Sequence, residues 1–152
     1  MNHKLKTAAA VAALAAASVP ATAIAAAPKP AKTATPTGKV QRTSKSTAEL
    51  KVRYSCKSGT TLWISLKQSK SGAKDKRLKK EGSSKVAHTW LQSHRNTVKC
   101  DGKKHTKTFT VDKVEPGSKG RLKAGQAWLQ FCVTEATTQK LTVSVARWVK
   151  VA

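Results

Sequence analysis

From residue 47 onward, apolar side chains recur at every second position in short runs. "ELKVRYSC" (49–56) places Leu50, Val52, Tyr54 and Cys56 on one side and Lys51, Arg53 and Ser55 on the other, and "TLWISLK" (61–67) repeats this with Leu62, Ile64 and Leu66. "NTVKC" offers Val98 and Cys100, "KTFTVDK" offers Phe109 and Val111, and "QAWLQFCV" offers Ala127, Leu129, Phe131 and Val133. "LTVSVARWVKV" closes the series with Leu141, Val143, Val145, Val149 and Val151. A period of two is the signature of a strand, because successive side chains of a strand point to opposite faces. Ser58-Gly59, Asp101-Gly102, Pro116-Gly117 and Ala124-Gly125 punctuate the runs as turns. "VAHTWLQ" (86–92) fixes no phase. Six or seven short strands of this kind predict an all-β antiparallel sandwich over residues 47–152, with a small barrel as the other way to close them.

The strand phases bear on the cysteines. Cys56 and Cys100 fall in the apolar phase of their runs and point between the sheets, which predicts a disulfide between them, with Cys132 in the opposite phase and outside it. Asp101-Gly102 reads as a tight turn, and Val98 and Cys100 share a face with Phe109 and Val111 only if the hairpin loop holds an even number of residues. A nucleophilic Cys100 with His105 as its base would need an exposed, thiolate-stabilising site, and nothing else in the chain resembles a protease or transferase signature. The spacings of His88, His94 and His105 around Cys100 match no zinc pattern. The seven Asp and Glu are scattered, mostly in turns or beside lysines, so no pair of convergent carboxylates is evident. The expectation is a non-enzyme, with no catalytic residues, no metal and no cofactor.

"YSC" at 54–56, "CDGKKHT" at 100–106 and "KAGQAWL" at 123–129 resemble the pattern of small secreted Ig-like β-sandwich domains of unknown function from actinobacteria. The resemblance spans roughly residues 47–151 and implies the fold, export and the Cys56–Cys100 bridge, with no catalytic residues to carry over. The chain departs from the pattern in its tryptophans, in Cys132 and in its lysine load.

The N-terminal third has a different character. Lys4 and Lys6, the apolar run "TAAAVAALAAASV" at 7–19 and the small residues "ATAIAAA" read as a secretory signal, residues 1–25, cleaved after Ala25. The run is shorter than the roughly 20 residues a membrane span needs, so no integral membrane association is expected. Residues 26–46, rich in Pro, Ala, Thr, Ser and Lys with Val40 as the single branched aliphatic, read as a flexible basic linker. The expected product is extracellular, in solution or on the cell wall.

Charge then narrows the partners. The formal charge of +23 loses only Lys4 and Lys6 with the signal, leaving +21. Such a field favours anionic polymers, whether nucleic acid, cell-wall polymer or sulfated glycan. The densest stretch, "KQSKSGAKDKRLKKEGSSK" (67–85), opposes eight basic residues to Asp75 and Glu81. Lys70, Lys74, Lys76, Arg77, Lys79 and Lys80, extended by Lys103 and Lys104, are the candidate polyanion-binding residues. No base-reading element accompanies them. Trp63, Trp128 and Trp148 stand in the outward phase of their strands and, with Cys132, form a candidate interaction face for a protein partner. Cys132 is either a buried thiol or the link of a dimer. Against the leading expectation of a polyanion-binding module stand two alternatives: a protein-interaction or inhibitor-type module using the tryptophans, and an unrecognised hydrolase.

Overall fold

The computed structural model describes residues 34–59, 61–80, 86–93, 97–135 and 137–152. The expected signal, residues 26–33 of the expected linker, and Glu81, Lys85 and His94 lie outside the described residues.

The strands are β1 (Thr35–Pro36), β2 (Gln41–Arg42), β3 (Ala48–Ser55), β4 (Thr61–Gln68), β5 (Thr89–Ser93), β6 (Lys104–Val111), β7 (Lys113–Val114), β8 (Gly125–Thr134) and β9 (Leu141–Val151). They form two antiparallel sheets facing one another. In the smaller sheet β3 is central, with β6 along one side and β1 and β2 sharing the other; the larger runs β7-β5-β4-β8-β9. Leu50, Val52 and Tyr54 of β3 and Phe109 and Val111 of β6 pack against Leu62, Ile64 and Leu66, Leu91, Leu129, Phe131 and Val133, and Val143 and Val145. Phe109 lies 5.5 Å from Phe131 edge to face, and Tyr54 lies 5.9 Å from Phe109, spacings at which aromatic quadrupoles attract. The alternation in the sequence is thus the inner face of each long strand. Leu141 is the exception, 38% exposed at the start of β9.

The Cys56–Cys100 disulfide is formed and Cys132 is outside it. Its surroundings differ from expectation. Val98 and Cys100 are not in a strand: Thr97 makes a single bridge to Thr61, after which the chain crosses irregularly from the larger sheet to the smaller. Asp101-Gly102 therefore turns no hairpin, and the even-loop condition does not apply. Gly102 N–H donates to Cys56 O at 2.8 Å and Lys103 N–H to Asp101 Oδ1 at 2.9 Å, so the turn is closed by its own side chain and by the end of β3. The disulfide ties β3 to this crossing segment across 44 residues, removing unfolded-state entropy worth about 4 kcal/mol.

Two further boundaries move. The expected linker is part of the sandwich from Ala34 onward. Ala34 and Val40 are buried, Thr35 and Pro36 pair with Arg53 and Val52, and Gln41 and Arg42 pair with Glu49 and Ala48. Val40 also bonds both ways with the end of β9, its N–H to Lys150 O (2.8 Å) and its C=O from Ala152 N–H (2.9 Å). A segment with few apolar residues becomes ordered here because existing strand edges satisfy its backbone. Ala124-Gly125 is not a turn either, since Gly125 opens β8. In the unphased stretch 86–92 the strand β5 begins only at Thr89, with Leu91 inward and Trp90 and Gln92 outward.

The outer face of the larger sheet is covered at one end. β4 is buried on both sides, including Ser65 and Lys67, because the segment after Gln68 folds back over the sheet. No helix among the described residues is long and apolar enough to cross a membrane.

Candidate anion-binding site

The covering segment runs from Ser69 to Lys80, and its order has four identifiable sources. The Gln68 amide is held reciprocally, Nε2–H donating to Lys123 O (2.8 Å) and Oε1 accepting from Lys123 N–H (3.0 Å). Gly72 O accepts from Gln126 N–H at 2.7 Å, and the two backbones approach so closely that a Cβ on Gly125, whose φ is +140°, would overlap the Gly72 carbonyl. Asp75 caps the 3-10 turn Lys76–Lys79 by accepting from Arg77 N–H at 3.0 Å. Finally Leu78, wholly buried among charged neighbours, packs with Ala87 and Trp128 and against Val86, Trp90 and Trp148.

Beneath the loop, one register row of the sheet reads Trp90, Lys67, Trp128, Trp148. Lys67 is 1% exposed; its ammonium donates to Lys80 O at 3.2 Å and stands 4.4 Å from the Trp90 ring centroid. A cation over an indole face is attracted by the ring quadrupole, the more so when shielded from water. Lys79 Nζ lies over Trp128 at 5.3 Å. The Trp90 Nε1 N–H donates to Ser65 Oγ (2.8 Å), and that of Trp63 donates to Gln92 Oε1 (2.7 Å).

The expected interaction face is accordingly half roofed. Trp128 is buried and stacks edge to face on Trp148 at 5.3 Å, while Trp63 and Trp148 are half-buried. Cys132 is half-buried between Trp63 and Ser144 in register, its Sγ 4.0 Å from Ser144 Oγ. The outward phase of these residues was legible; the cover was not, because "AKDKRLKK" reads as a solvated charge run with one leucine in it.

Between the loop and the start of β8 lies a cleft of about 550 Å³, lined by Lys70, Arg77 and Lys123, by the Ser69 and Ser71 hydroxyls, and by Asp75 and Val86. Arg77 is oriented by Asp75, its Nε and Nη2 donating to the carboxylate at 3.0 and 2.7 Å. That hydrogen bonding holds the Asp75 carboxyl below the usual carboxylate range and raises the Arg77 guanidinium. Among the described residues, three cations against one carboxylate give the lining a positive charge. Lys123 was missed in the sequence because it is distant along the chain, and the Gln68 pairing together with the Gly72–Gln126 hydrogen bond brings it to the loop.

Of the other candidates, Lys74, Lys76 and Lys80 are exposed on the loop. Lys103 and Lys104 do not extend this patch. Lys104 pairs with Ser55 at the end of β3, where the disulfide sits, whereas the loop leaves the end of β4 at the opposite pole of the sandwich. Around Lys103 the charges centre on Asp101, whose Oδ1 meets His105 Nε2 at 2.7 Å and whose Oδ2 lies 3.5 Å from Lys99 Nζ. The His105 hydrogen bond, then the Lys103 backbone N–H, hold the Asp101 carboxyl far below its ordinary value. Among the described residues no group of three His, Cys, Asp or Glu is placed to hold a metal ion. Comparison of the chain with protein-family models and with curated proteins finds no match.

Proposed function

We propose that the protein is an exported, non-enzymatic module that adheres electrostatically to anionic polymers outside the cell through the basic loop 69–80. The observation that carries the reading is the order of that loop. A charge run of this density is ordinarily a solvated coil, yet here Leu78, Gly72 and Gln68 fasten it to the sheet and to the segment before β8, and Asp75 caps its 3-10 turn, so its lysines are displayed from a fixed platform. Preorganised cations lose less entropy on meeting a polymer than mobile ones. The roofing of Trp128 leaves less aromatic surface for the alternative protein interface.

Salt titration tests the reading. If about five phosphates are neutralised, log affinity falls with log salt at a slope of about −4.5, and each loop lysine removed flattens it by up to about one. Undetectable binding to duplex DNA, heparin and a polyol-phosphate polymer at about 50 mM salt, where such contacts are strong, would end the proposal.

A further inference from the structure

We infer that the cleft between the loop and Lys123 is a discrete subsite for one phosphate-bearing polyol unit of a flexible polymer. This rests on the polyanion reading and goes beyond it, because diffuse attraction needs a charged surface and no cavity. The cleft, at about 550 Å³, lies in the range of sites that enclose a small molecule or one polymer unit. It exceeds what a bare inorganic anion fills.

The lining divides by chemistry. Lys70 and Arg77 from the loop and Lys123 from the segment before β8 converge on one space, where they can surround a phosphate. Asp75 fixes Arg77 through Nε and Nη2 and leaves Nη1 free of that pairing, so the guanidinium keeps donors for the ligand. A carboxylate is a poor neighbour for phosphate but a good acceptor for a hydroxyl, and Asp75 and the Ser71 hydroxyl supply that complement. Among the described residues no aromatic ring lines the cleft; the tryptophans lie beneath the loop, with Val86 as the apolar contribution. A single-stranded nucleic acid would find no surface on which to stack its bases, which favours a polyol phosphate over a nucleic acid. The floor is rigid, because the Gly72–Gly125 approach and the Gln68–Lys123 bonds hold loop and strand together.

The experiment uses the full chain and a glycerol phosphate oligomer as probe, with an oligothymidylate of equal charge beside it. Lys70→Ala and Lys123→Ala should each weaken binding of the glycerol phosphate oligomer about tenfold, the effect of losing a charge-assisted hydrogen bond. Lys74→Ala and Lys76→Ala, on the same loop but outside the cleft, should weaken it by less than about threefold, as screened surface charges do. Unchanged circular dichroism shows that each variant keeps its fold. Equal effects of all four substitutions would overturn the subsite while leaving polyanion adhesion standing, whereas failure of wild type to bind any polyanion would remove the reading beneath it. A Lys123-dependent preference for the oligothymidylate would overturn the polyol assignment.

Discussion

Leu78→Ala tests whether the loop's order depends on its one apolar anchor. Leu78 is wholly buried against Ala87 and Trp128, with Val86, Trp90 and Trp148 around it. Truncation removes three carbons from an apolar site, about 2 kcal/mol of transfer free energy at roughly 0.8 kcal/mol per carbon, plus a cavity contribution if the loop stays in place. The loop can also detach, so the loss of stability cannot exceed the free energy with which the loop docks. We expect a loss of about 2–3 kcal/mol or that docking free energy, whichever is smaller, and a melting temperature lower by up to about 10 °C. All four tryptophans of the chain lie on the outer face of the larger sheet, so their emission reports the cover directly. The variant should show red-shifted emission and rapid exchange of the amides of 72, 78 and 80, which are bonded within or beneath the loop. Polyanion binding should weaken as well, since the lysines would then be ordered on contact. Unchanged emission and unchanged protection of these amides would refute the idea that Leu78 fastens the loop.

Replacing Cys56 and Cys100 together by Ala should lower stability by about 4 kcal/mol in denaturant unfolding, and non-reducing peptide mapping of the wild type should show no linkage to Cys132. Gly125→Ala should destabilise by more than about 1 kcal/mol and loosen the Ser69–Ala73 turn, because φ of +140° and the Gly72 carbonyl both oppose a Cβ; exchange at Gln126 N–H reads this out. Asp101 has a folded pKa below its unfolded value, so its contribution is complete above pH about 4 and is lost as pH falls towards the folded value. Asp101→Asn should flatten the acid limb of a stability profile below pH about 4, and an unaltered limb would count against the Asp101–His105 and Asp101–Lys103 contacts.

The inner faces of β3, β4, β8 and β9 were legible because each long strand turns one side to a single core, so that Leu50 to Tyr54 or Leu129 to Val133 alternate without interruption. Val98 and Cys100 alternate equally well, but two residues are too few to distinguish a strand from a crossing segment. Residues 34–42 carry almost no apolar signal, and what orders them is backbone pairing with β3 and β9, which composition does not record. The candidate site was legible only in part. Lys70 and Arg77 stood out by charge density, whereas Lys123 joins them through the Gln68 amide, and Lys103 and Lys104, close to one another in sequence and similar in character, lie at the far pole.

The two-way bonding of Val40 with Lys150 and Ala152 has a temporal meaning as well as a spatial one. It joins nearly the first described residues to the last, and β3 cannot receive β6 until more than half the chain has been made. Domains that fold as they emerge do so from the N-terminus, and contacts distant in sequence form late. Here the N-terminal seam stays open until the final strand is synthesised. A polypeptide wired in this order closes its first edge with its last strand, so the two ends of the described fold are completed in a single late step.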